Sequence, residues 1–153
     1  MSRVRRWGLS AWLTLLCLLT IGTSEIAGCG GGGPGASADD GRTKITNLFH
    51  LYKAYTEQNK KGPADEQALM DFGKKLTAEQ RAGYIIPDDI DGLFVSPRDK
   101  QKYVIRWGAK LEPTGPPKGI IWEAQGKGGT RFVALAMGYV EEYDETMVKD
   151  YIK

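Results

Sequence analysis

His50 is the one histidine in the chain, so any imidazole acid–base chemistry must pass through it. A histidine base needs a nucleophile and an orienting acid within hydrogen-bond reach. The serines beyond the apolar N-terminal segment are Ser37 and Ser96. Neither stands in a strand–turn–helix elbow that exposes a nucleophile. A small envelope hydrolase would have to pair His50 with a carboxylate such as Glu57 or Asp99. A histidine at the edge of an apolar helix stripe is the simpler reading, so no catalytic residue is assigned.

Two other stretches resemble chemistry without meeting its requirements. Pro87–Gly92, "PDDIDG", gathers three carboxylates, and hard cations want several oxygen ligands. An EF-hand register ending its turn at Gly92 puts Pro87 at the first ligand position and Arg98 at the twelfth, where a glutamate is needed. A solvated, capping loop is expected instead. Gly126–Thr130, "GKGGT", lacks phosphate-loop spacing and leads into a strand, so it is expected to be a hairpin turn. One thiol and one histidine cannot fill a zinc site, and no metal or cofactor is expected.

Recognition is the remaining chemistry. Trp107 and Trp122 fall on neighbouring expected strands, with Tyr103 nearby. Exposed, they would make an aromatic platform for a sugar or peptide; buried, they would be core between sheet and helix. Arg98, in the turn "SPRDKQ", either pairs locally or meets a partner. Trp107, Trp122 and Arg98 are therefore the candidate ligand contacts.

The chain has 153 residues, enough for one domain with a real core. Its N-terminus reads as an address. Arg3, Arg5 and Arg6 precede an uncharged stretch, Trp7–Ser24, centred on "LTLLCLLTI". A basic start and a short apolar run ending in small residues make a secretory signal. An uncleaved membrane helix is the alternative, since 18 uncharged residues reach the lower limit for crossing ~30 Å of hydrocarbon. Both readings carry the remainder of the chain across the membrane, by the positive-inside rule. Arg5-Arg6 also permits a twin-arginine signal. Cutting before Cys29 takes the chain from 21 basic and 19 acidic residues to 18 of each. A neutral domain has no basic run for neutralising phosphates, so no nucleic-acid partner is expected.

The segment Ile26-Ala27-Gly28-Cys29 resembles the lipobox of bacterial lipoproteins, in which an aliphatic and two small residues precede a cysteine. The resemblance implies that Cys29 becomes diacylglyceryl-modified and then N-terminal, with a membrane partner held through its lipid. Cys17 leaves with the signal, so Cys29 has no disulfide partner. Two or more acyl chains anchor stably where one does not. Gly30–Gly41, "GGGGPGASADDG", has no large apolar residue and is expected to be a tether reaching about 20 Å. The expected division is 1–28 signal, 29–42 lipidated cysteine and tether, and 43–153 folded domain.

Within that domain, Ile45, Leu48, Phe49, Tyr52 and Tyr55 recur at helical spacing and predict a helix over Thr43–Asn59, ended by Gly62-Pro63. A second helix is expected over Asp65–Leu76, and Thr77–Gln80 reads as a capping box opening a third. Residues 83–101 read as a loop-rich connector. Strands are expected over Lys102–Trp107, Ile120–Gln125, Thr130–Met137 and Tyr139–Tyr143, before a short helix capped by Asp144. The class is α+β, with N-terminal helices on a small antiparallel sheet of three to four strands and a short C-terminal helix.

The order of Asn47–Pro63, "KYVIRWG" and "GIIWEAQGKGGTRFVALAMGYVEEYDETMV" resembles the soluble part of bacterial pilin-like proteins, including type II secretion pseudopilins. That resemblance implies a helix laid across an antiparallel sheet, a surface location and no enzyme activity. Two features depart from the family. A lipobox and glycine tether replace the long assembly helix, which implies a monomer rather than a fibre subunit. Met137-Gly138 stands where the family often has Asp-Gly. The expected role is a non-enzymatic, membrane-tethered scaffold or binding module of the cell envelope, with an envelope protein or glycan as partner.

Overall fold

A computed structural model describes residues 38–153. The expected export signal, Cys29 and residues 30–37 of the expected tether lie outside the described residues. The first helix, α1, runs Ala38–Asn59 and so starts five residues before the expected Thr43. Asp39 and Asp40 sit in its first turn, where carboxylates favour the positive end of the helix dipole. Gly41 is the close-approach residue: a Cβ there would lie 2.6 Å from Cδ of Arg98. Residues 38–42, expected to be tether, are therefore part of the folded domain.

Ile45, Leu48, Phe49 and Tyr52 are buried as their spacing predicts, and Leu51 and Ala54 are buried as well. The stripe is wider than expected because α1 meets the sheet on one side and further helices on the other. The helix α2, Glu66–Lys75, is capped by the Asp65 carboxylate, which accepts from the Ala68 N–H at 2.8 Å. The helix α3, Ala78–Tyr84, opens on a capping box in which Thr77 and Gln80 each accept the other's backbone N–H.

The connector is more structured than expected. Asp91–Phe94 forms a 3-10 turn that buries Leu93 and Phe94, and Ile86 and Ile90 join the same core. Its acidic residues point to local partners. Asp88 pairs with Arg81 at 3.0 Å, Asp91 with Lys74 at 2.7 Å, and Asp89 accepts from the Gly92 N–H at 2.9 Å. Among the described residues no group of three or more His, Cys, Asp or Glu side chains is placed to hold a metal. None of the described helices is long and apolar enough to cross a membrane.

The sheet is an antiparallel meander of β1 (Val104–Ile105), β2 (Gly119–Trp122), β3 (Thr130–Leu135) and β4 (Val140–Asp144), in that spatial order. The register pairs Ile105 with Ile121, Trp122 with Val133 and Phe132 with Glu142. An irregularity between Gly119 and Ile121 lets both Ile120 and Ile121 enter the larger core. Phe132 and Ala134 belong to the larger core with α1; Val133 and Leu135 belong to a second cluster with α4, Glu145–Tyr151. The arrangement is α+β, as expected, with a layer on each face of the sheet. Asp144 caps α4 by accepting from the Thr146 and Met147 N–H groups.

Candidate functional site

The candidate contacts separate once the sheet is formed. Trp107 lies beyond the end of β1 and packs against the core shared with α1. Trp122 packs against the cluster under α4. The two rings serve different cores, so they pack as core residues and the alternative, a shared aromatic platform, does not form. Alternation is the cause. Trp122 pairs with Val104, which lies on the opposite face from Ile105.

Arg98 is not a surface contact either: its side chain is 5% exposed. Its Nη1 lies 3.3 Å from Oε2 of Glu123, which is wholly buried, and its Nη2 donates to Glu142 at 2.8 Å. The same Nη2 donates to Oγ1 of Thr130 and the Lys127 carbonyl, and the guanidinium lies 4.4 Å over the Phe132 ring. Glu123 also accepts from the Ser96 hydroxyl at 2.7 Å and the Phe132 N–H at 2.9 Å. Both Glu123 oxygens are met by donors, whereas Arg98 Nη1 is buried without a hydrogen-bond partner and faces Glu123 through charge alone. The pair therefore tolerates burial mainly through its countercharge and the bonds to Glu123 and Nη2. Asp99 works beside it as a loop clamp, accepting from the N–H groups of Gln101, Gln125 and Gly126. Burial works to raise its pKa, but those three N–H groups and Ser96 outweigh it and hold the carboxyl below the usual range. Thr130 first, then Arg98, likewise hold Glu142 below the usual range against burial.

This cluster absorbs two of the residues a hydrolase would need. The Ser96 hydroxyl donates a hydrogen bond to Glu123, and Asp99 is filled chiefly by backbone donors. Neither lines the concavity that holds His50.

His50 lies on α1 between two concavities. The larger, about 500 Å³, is a half-open groove along the C-terminal half of α1. The loop at Lys110–Pro113 walls one side and the β3–β4 turn at Ala136–Gly138 the other. Phe49, Leu111, Pro113, Ala136 and Met137 make its apolar lining; Lys53, Glu57, Lys60 and Lys110 make its charged rim. The smaller adds Gly83, Tyr84 and Ile85 from the end of α3. Burial lowers the His50 pKa, the Ile85 backbone opposes this, and Lys53 adds to it, so the imidazole is largely neutral at pH 7. Its Nδ1 is buried without a hydrogen-bond partner. Glu57, the carboxylate of the alternative hydrolase reading, lines the same groove as His50, but it faces Lys53, 3.8 Å away. The groove's single hydroxyl, on Thr56, donates to the Tyr52 carbonyl at 2.9 Å.

Both ends of this site carry backbone in the left-handed region. Lys60 ends α1 with φ 59°, and Ile85 ends α3 with φ 58°. The helix α1 stops at Asn59, as expected, but its end is turned by Lys60 rather than by Gly62. Ile85 is β-branched and 67% exposed, an uncommon combination for this region. Ile85→Gly is expected to stabilise the domain by about 1 kcal/mol, since glycine enters this conformation without Cβ strain. A rise in the denaturant midpoint at unchanged slope checks this; a fall would show that the isoleucine side chain contributes more than its strain costs.

The groove was not legible in the sequence. Lys110, Leu111 and Pro113 stand in a Pro/Gly-rich loop with no periodicity, and Met137 stands in a turn. The one available signal was the missing glycine after α1. No family model matches the chain, and no match was found among curated proteins or solved structures.

Proposed function

We propose that the chain is a lipid-anchored protein of the cell envelope whose α+β domain is a non-enzymatic binding module, the groove along α1 being its binding surface. The observation that carries the module is the groove itself. It joins an apolar lining to three lysines and a neutral histidine, while its one hydroxyl is already committed. Such a surface holds a ligand and lacks an activated nucleophile. That favours binding over the hydrolase built on His50 and Glu57.

The anchor rests on the lipobox-like Ile26–Cys29 behind a signal-like start. With α1 described from Ala38 onward, the residues proposed as tether shorten to those between Cys29 and that point. A helix against an antiparallel meander also supports the pilin-like reading, with a lipid where that family keeps an assembly helix.

Labelled palmitate fed to cells expressing the full chain tests the anchor. Label and membrane fractionation are expected for the natural chain, and Cys29→Ala is expected to lose the label. Continued labelling of that variant would sink the assignment to Cys29.

A further inference from the structure

The groove's chemistry narrows what it can hold, provided that it is the binding surface proposed above. A volume of about 500 Å³ lies in the range of sites for single small molecules. The lining lacks asparagine, glutamine and aspartate, and its threonine hydroxyl is bound to Tyr52. A neutral sugar needs many directional partners, and this surface does not supply them. The floor instead suits an apolar chain, because Phe49, Leu111, Ala136 and Met137 are contributed by three separate segments.

The rim decides the head group. Lys53, Lys60 and Lys110 share the rim with one carboxylate, Glu57, and burial lowers the His50 pKa, which disfavours a charge on its imidazole. Glu57 is shared with Lys53, whereas Lys60 and Lys110 make no ion pair among the described residues. Lys60 is also held at φ 59°, where glycine would be less strained. Strain at a residue lining a site is one signature of a placed functional group.

We infer that the groove takes a single-chain anionic amphiphile, its apolar chain on Phe49, Leu111 and Met137 and its anionic head between Lys60 and Lys110. A carboxylate or a phosphate head meets the same two ammonium groups. The compact ammonium acts as a point charge and does not require a planar partner.

The full chain in zwitterionic lipid nanodiscs, with empty nanodiscs as the blank, provides the test. The probes are octanoate, octyl phosphate and octyltrimethylammonium, followed by calorimetry. Octanoate or octyl phosphate is expected to bind saturably at one per chain, and the cation at least tenfold more weakly. The double variant Lys60→Ala/Lys110→Ala is expected to weaken anion binding on the order of 5- to 10-fold. Lys60→Gly/Lys110→Ala keeps the helix end relaxed and is expected to behave alike, which separates charge from folding. Preference between the two anions identifies the head group.

Equal binding of anion and cation, or no loss in either double variant, overturns the inference. If the amphiphiles fail but a soluble peptide alternating glutamate and leucine binds and loses affinity in both variants, the occupant is wrong and the binding groove stands. If neither class binds, the binding-module reading of this groove falls with it.

Discussion

Arg98→Ala is expected to destabilise the domain by about 3–5 kcal/mol, seen as a lowered denaturant midpoint. The guanidinium is nearly wholly buried and is the cation beside Glu123, which no solvent reaches. Truncation leaves that carboxylate with the Ser96 hydroxyl and the Phe132 N–H but no countercharge. It also removes an aliphatic stem that fills the space under Gly41 and a cation lying over Phe132. Much of the cost is therefore the orphaned charge rather than the worth of the pair. A double variant separates the two. Arg98→Met with Glu123→Gln keeps volume and retains an acceptor and donors at position 123. It is expected to recover at least half of the loss, because neither partner is then left charged. A double variant as unstable as Arg98→Ala would show that the bonds to Lys127, Thr130 and Glu142 carry the stability instead.

The same cluster shows what a sequence does and does not disclose. The capping box at Thr77–Gln80, the Asp65 and Asp144 caps and the α1 stripe are local, and each was readable from spacing alone. Glu123 was half readable. It stands two residues after Ile121, so a strand places both on the core face. What makes a carboxylate tolerable there is Arg98, 25 positions earlier, and no local pattern joins them. The aromatic pair fails for a related reason. Which face Trp122 shares with a neighbour is a property of register, set by its pairing with Val104. The first strand was expected to run from Lys102 to Trp107, and two residues remain, because Gly108 donates to the Pro63 carbonyl and draws the chain toward the end of α1.

That last contact positions the groove, and Gly62→Ala is expected to show it. A Cβ at Gly62 would lie 2.3 Å from the Ala109 carbonyl oxygen and 2.7 Å from both the Gly108 carbonyl carbon and the Tyr52 hydroxyl. Two of these neighbours are backbone and cannot swing aside. The third, the Tyr52 hydroxyl, is fixed by donating to the carbonyls of Arg106 and Ala109 at 3.0 and 2.8 Å. Burial, against the Ala109 carbonyl, pushes its pKa up to about 12. An added methyl must therefore displace the 106–109 segment, at a cost of about 2–3 kcal/mol. Lys110 and Leu111 follow directly, so the wall of the groove moves with the segment. Tyr52→Phe removes the hydroxyl without adding bulk and is expected to cost about 1–2 kcal/mol, leaving two carbonyls less well satisfied. The two variants separate stability from placement. Gly62→Ala is expected to weaken octanoate binding more than Tyr52→Phe even at a temperature where both are fully folded. Equal affinities in the two folded variants would mean that the groove wall is held from the sheet side and not by the end of α1.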